Sequence, residues 1–153
     1  MPIVQLKTWM IVILLCTAPR FAHSYDMSRY QPEQLDELLG TAENKNLTLI
    51  TPRKLLLEVY LASYAYTCDT SILKAALTLQ GAPREALEHV AISHCVNVTT
   101  LRSGITLPMF IQDQVATHLP KEATVGSRIS LYVDYLYQGP QGAGFLINEF
   151  SEK

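Results

Sequence analysis

Hydrophobic positions alternate along the second half of the chain and cluster with helical spacing along the first half. From residue 128 to 137, Ile129, Leu131, Val133, Tyr135 and Tyr137 interleave with Ser130, Tyr132, Asp134 and Leu136, which predicts a strand with one apolar face. Residues 145–150 form a second apolar run. Gly139, Pro140, Gly142 and Gly144 between them predict a hairpin with a long loop over 138–144. Residues 90–99 alternate too: Val90, Ile92, His94, Val96 and Val98 share one face, opposite Ala91, Ser93, Cys95, Asn97 and Thr99. A turn at 102–104 then returns the chain as a partner strand over 105–111. Pro108 suits an edge or bulge of that strand, because it has no N–H to give a ladder.

Helical spacing dominates earlier. Leu35, Leu38 and Leu39 form a stripe in a short helix over 31–39, with Pro32 in its first turn and Gly40 as its end. After a solvated loop at 43–46 and a brief extended segment at 47–50, Thr51 is placed to cap and Pro52 to start the strongest helix, residues 52–66. Only Arg53, Lys54, Glu58 and Ser63 interrupt its apolar surface, so it should be central and buried. Asp69 or Thr70 caps a helix over 71–80 that Gly81 stops, and Pro83 opens another turn or two through Leu87. A last short helix starts at Gln112 and runs through His118, closed off by Pro120.

The expected class is therefore α+β, with N-terminal helices packed on a C-terminal antiparallel sheet. Hairpin, short helix, hairpin is an order that resembles small closed or partly open barrels of the OB and SH3-like kinds. The likeness lies in general architecture alone.

The N-terminus sets the expected compartment. Lys7 precedes an apolar run over 9–15, too short for a bilayer-spanning helix of about 20 residues. With Pro19 and then Ala22-His23-Ser24 behind it, the run reads as a secretory signal cleaved after Ser24. Arg20 is unusual there, and an uncleaved anchor is the competing expectation. Cys16 follows bulky Leu14 and Leu15, which disfavours lipoprotein processing. Residues 1–24 are thus assigned to a signal peptide and residues 25–153 to one domain, large enough for its own core.

Removing Lys7 and Arg20 leaves ten basic residues against fourteen acidic ones. That balance opposes nucleic acid and anionic lipid, which demand clustered cations. Cys68 and Cys95, an even pair in an exported chain, are expected to form a disulfide that stabilises the fold by about 3 kcal/mol.

Candidate chemistry is thin. His89, His94 and His118 lack metal-ligand spacing, and no Cys-x-x-Cys occurs. Cys95 would need a free thiolate near His94 or His118 to act as a nucleophile, which a disulfide forbids. Ser103-Gly104 reads as a turn, and the glycines at 139–144 lack the lysine and helix of a phosphate cradle. Glu58, Asp113, Asp134 and Glu149 could supply a carboxylate pair, as in any acidic protein. Asn46-Leu47-Thr48 and Asn97-Val98-Thr99 match the glycosylation acceptor pattern, which matters only in a eukaryotic host. Two sets of tyrosines remain: Tyr60, Tyr64 and Tyr66, and Tyr132, Tyr135 and Tyr137. Packing of helix on sheet is their first explanation and a recognition face the second.

No catalytic residue, cofactor or metal ligand is assigned. The expected function is an exported, periplasmic or secreted, non-catalytic module that binds another envelope or secreted protein, as an inhibitor, immunity-type factor or accessory subunit. An envelope hydrolase using acidic residues, or a small-ligand or metal carrier, is the alternative. The part-polar face of the 128–137 strand, with Tyr132, Asp134 and Leu136, is the expected binding surface wherever the 52–66 helix leaves it uncovered.

Overall fold

The segment expected to be the central helix is a strand. In the computed structural model, which describes residues 26–40, 46–89 and 91–153, β2 runs Thr48–Leu61. The expected signal segment lies outside the described residues. Leu55, Leu57, Val59 and Leu61 are at most 1 % exposed, while Lys54, Leu56, Glu58 and Tyr60 occupy the other face. This is the period of a strand. β2 pairs antiparallel with β6 (Arg128–Gly139), setting Leu55 beside Val133, Leu57 beside Leu131 and Val59 beside Ile129. The helix propensity of leucine over other residues is a few tenths of a kcal/mol, whereas burying one such side chain contributes about 1.5–3 kcal/mol. Burial wins. Thr51 and Pro52, expected to begin a helix, fall in a register shift between Leu49 and Arg53, where the ladder requires no proline N–H.

The helix expected over 31–39 is divided. Its first turn is β1 (Gln31–Glu33), an edge strand parallel to β2 on which Pro32 is tolerated, and the rest is α1 (Leu35–Gly40). After β2 come β3 (Tyr66–Thr67), α2 (Ser71–Leu79) and α3 (Arg84–His89). α2 matches its predicted ends. Asp69 Oδ1 accepts the Ser71 N–H at 2.9 Å, and Gly81, with φ +89°, turns the chain so that its N–H donates to Thr78 O and that of Ala82 to Leu77 O.

β4 (His94–Thr100) begins later than the alternation from residue 90 suggested, and β5 (Thr106–Ile111) returns beside it. α4 (Asp113–Glu122) runs past Pro120, with the Ala123 N–H donating to Leu119 O, so the proline does not close the helix. β6 and β7 (Gly142–Glu152) are joined by Pro140 and Gln141 alone, a tight turn in place of the long loop expected over 138–144. Gly142, at φ +112°, makes that turn possible.

Seven strands form one sheet in the order β1-β2-β6-β7-β5-β4-β3, and β2 also pairs with β4 through Val59–Thr100, Tyr60–Thr99 and Leu61–Val98. The pairings of β2, β6, β7, β5 and β4 therefore return to β2. β1–β2 and β5–β7 are parallel, so the sheet is mixed and not purely antiparallel. Nor are the helices all N-terminal: α1, α2 and α3 precede β4, but α4 lies between β5 and β6, and the first half of the chain supplies the longest described strand. The class is α+β, with four α-helices among the described residues. None of the described helices is long and apolar enough to cross a membrane.

Two cores result. The larger one gathers the inward faces, with Leu57, Val98, Met109, Leu119, Leu131 and Phe145 among its members. The smaller lies on the other side of β6 and β7, where Leu73 and Ala76 of α2 cover Leu136, Tyr137 and Leu146. A register shift between Tyr135 and Tyr137 reverses the alternation: Tyr135 stacks on Phe145 in the larger core, and Tyr137 joins the smaller.

Candidate binding face

The surface expected to be available on β6 is occupied by this chain itself. Tyr132 is met edge-on by the Tyr30 ring, with centroids 5.3 Å apart. Asp134 accepts from Lys54 Nζ at 2.9 Å, and that ammonium sits over the Tyr30 ring at 5.1 Å. Leu136 is 2 % exposed beneath α2. The cover is thus the Tyr30 segment and α2, not a helix over 52–66. Asn148, at a bulge of β7, donates to the Tyr30 hydroxyl and accepts from Gln112, fastening the segment further.

The four carboxylates weighed as catalytic pairs are held apart in separate contacts. Glu58 accepts from Arg128 and Lys153, whose hydrogen bonds draw its carboxyl below the usual range. Asp134 serves Lys54, and Glu149 accepts from the N–H of Phe150. Asp113, the first residue of α4, is pushed up by burial but more strongly held down by hydrogen bonds from His94 and Ser93, so its carboxyl also lies below the ordinary value. No two of the four line the same described cavity.

Ser93, His94 and Asp113 do share a cluster, which sequence reasoning did not assemble. Its geometry is not that of a nucleophile relay. Ser93 Oγ and Asp113 Oδ1 both approach the same ring atom, His94 Nδ1, at 2.9 and 2.7 Å, whereas a relay sets serine and carboxylate on opposite nitrogens. The contacts instead tie the start of β4 to the start of α4. His89 and His118 are exposed on α3 and α4.

A cleft of about 600 Å³ runs between β1, α1 and the outer face of β2. Its acidic groups already have partners. Glu33 pairs with Arg53, and Asp36 accepts from the N–H groups of Arg102 and Ser103 and from the Ser103 hydroxyl. The Ser103 hydroxyl contributes most to lowering the Asp36 carboxyl, and the contact clamps α1 to the turn between β4 and β5.

A different surface presents uncommitted rings. Tyr60, Tyr64 and Tyr66 are 40 %, 39 % and 39 % exposed, so core packing does not account for them. β2 places Tyr60 on its outer face beside Thr99 of β4. The next residues leave β2 but stay on β4, because the N–H groups of Ala62 and Ser63 donate to Asn97 O and the Asn97 N–H donates to Ser63 Oγ. Tyr64 then donates to Ala123 O, and Tyr66 to Asn97 Oδ1 at 2.8 Å. Both hydroxyls are fixed while much of each ring faces water. The same face continues across β4 and β5 through Thr99, whose hydroxyl meets that of Thr106 at 2.8 Å, and Pro108.

This face leads into a groove of about 300 Å³ between β5 and the β6–β7 turn. It opens because β5 and β7 pair only at Phe110–Leu146 and Ile111–Ile147, and Pro108 can give no N–H to extend them. Cys68 and Cys95 line it and are disulfide-bonded, with Cα atoms 5.7 Å apart, which leaves no thiol at Cys95. Tyr137 lines it as well. Its ring lies against Gly144, where a Cβ would come within 2.1 Å of Cε1, so only glycine leaves it this room.

Alternation of Leu55, Leu57, Val59 and Leu61 was the signal that would have placed Tyr60 on a surface. Comparison with protein families, with curated proteins and with solved structures returns no match for the chain.

Proposed function

We propose that the chain is an exported, non-catalytic binding module built on an OB-like five-stranded barrel, and that it engages another envelope or secreted protein through the outer face of β2, β4 and β5. The observation that carries this reading is the exposure of Tyr60, Tyr64 and Tyr66 along the end of β2 and its continuation, with Tyr60 and Tyr66 both set against β4. Tyrosine gives large contact area with few rotors, and a fixed hydroxyl lowers the ordering cost further. The barrel reading is supported by five strands whose pairings return to the first, with α4 between the third and the fourth. Export is supported by the disulfide and by the apolar run near the N-terminus. The acidic balance of the domain argues for a protein over a polyanion.

Site-specific photocrosslinking tests the reading. A photoreactive residue replacing Tyr66 should yield a discrete protein adduct in the native compartment, and one replacing exposed Glu85 on α3 should not. Adducts of equal yield from both positions, or none from position 66, would defeat it.

A further inference from the structure

The Cys68–Cys95 bond ties down a piece of chain that neither core holds. Tyr66, Thr67 and Asp69 are exposed and Cys68 is half-buried, and none of the four belongs to either core. Their backbone is held by β3, two residues at the edge of the sheet, and by the Cys68 N–H, which donates to Ser93 O at 3.2 Å. The stretches on either side have firmer anchors. Ser63 exchanges hydrogen bonds with Asn97 and Tyr64 donates to Ala123 O, while Thr70 is 7 % exposed and Leu73 and Ala76 of α2 belong to the smaller core. Residues 66–69 are therefore a unit that can open alone, because opening uncovers little apolar surface and breaks few hydrogen bonds. The ring of strand pairings does not need them: β2 meets β4 through Val59–Thr100, Tyr60–Thr99 and Leu61–Val98, outside the span that the bond closes.

The bond is also easier to reach from one end. Both cysteines line the groove, but Cys95 is 5 % exposed whereas Cys68 is half-buried. Thiol–disulfide exchange is directed by access to the sulfur under attack, which here is Cys68 Sγ.

We infer that the Cys68–Cys95 bond is a redox switch on the tyrosine face, opened by a dithiol protein of the Cys-x-x-Cys kind and closed by a disulfide protein of the same kind. A thiolate of the reductant bonds to Cys68 Sγ and expels Cys95, which takes up a proton. The reductant's second thiolate then attacks its own linked sulfur and releases Cys68, which is protonated in turn. Two electrons have passed to this chain, and the reductant is left as a disulfide. The reverse exchange closes the bond. Opening frees β3, so Tyr66 leaves Asn97 while Tyr60 stays on β2 and Tyr64 on Ala123. The effect on recognition rests on the tyrosine face proposed above; the opening of residues 66–69 does not.

Three measurements on the whole protein test it. Thioredoxin whose resolving cysteine is replaced by serine should arrest as a mixed disulfide that peptide mapping places at Cys68. Hydrogen exchange after reduction with dithiothreitol, well below the melting temperature, should show protection lost over residues 66–69 and kept across the β2–β6 and β4–β5 ladders. The adduct formed by a photoreactive residue at position 66 should fall severalfold in yield when the native protein is reduced. If the oxidised protein gives no adduct at all, the tyrosine face fails and the effect on recognition with it, while the first two measurements still decide the opening. Absence of the mixed disulfide, its placement at Cys95, protection over residues 66–69 indifferent to reduction, loss of protection throughout the β2–β6 ladder, or an adduct yield indifferent to reduction would overturn the switch.

Discussion

Replacing Leu57 by alanine is expected to destabilise the fold by about 3 kcal/mol, within the 2–5 kcal/mol typical of a buried leucine truncated in a packed core. Leu57 is 0 % exposed, lies beside Leu131 across the β2–β6 ladder and belongs to the larger core. Its neighbour Leu56 faces outward beside Tyr132, half-buried at the cleft beneath β1. Leu56→Ala should therefore cost about 1 kcal/mol or less. The contrast between adjacent, chemically identical residues is what a strand produces. Urea unfolding measures it: the midpoint should fall sharply for Leu57→Ala and little for Leu56→Ala, with similar slopes. Equal losses would contradict the strand and the ring of pairings that depends on it.

Removal of the Cys68–Cys95 bond is expected to have a comparable effect. The bridge closes 27 residues of sequence, and the chain-entropy model gives about 3 kcal/mol for a loop of that order. For a domain of this size that is a fall in melting temperature of about 10 °C. The Cys68→Ala/Cys95→Ala double variant should melt that much lower and ignore added reductant, while the wild-type protein should descend to the same temperature once reduced. The cost should also be local. Cys68 follows β3 and Cys95 sits on β4, so the bond holds the Tyr66 segment against the strand that presents it. Failure of reductant to move the wild-type melt would show that the bridge has little part in stability.

Much of the fold was written in the alternation. Ile129, Leu131, Val133 and Tyr135 do point into the larger core, and α2 begins and ends where Asp69 and Gly81 direct. The disulfide followed from an even pair of cysteines. Three features escaped, each for a physical reason. In residues 52–66 the outer face of β2 carries Leu56 and Tyr60 between the charged Lys54 and Glu58, and a period of 2 is masked when only half of the outer positions are polar. The bulge that sends Tyr137 to the smaller core depends on register with β7, which no local pattern encodes. The Tyr30 segment reaches its place through contacts with Tyr132, Lys54 and Asn148 far along the chain. Reading β2 as a helix hid the candidate face as well: on a buried helix Tyr60, Tyr64 and Tyr66 would be core residues, and on β2 and its continuation they are surface.

Both the β2 strand and the candidate face depend on which tyrosines face water. Nitration of the whole native protein with tetranitromethane, followed by peptide mapping, measures this residue by residue. Tyr60, Tyr64 and Tyr66, about 40 % exposed, should be modified first, while Tyr30, Tyr135 and Tyr137, at 6 % or less, should react only after unfolding. Rapid modification of Tyr135 or Tyr137 with protection of Tyr60 and Tyr66 would contradict both the strand and the face assigned to it.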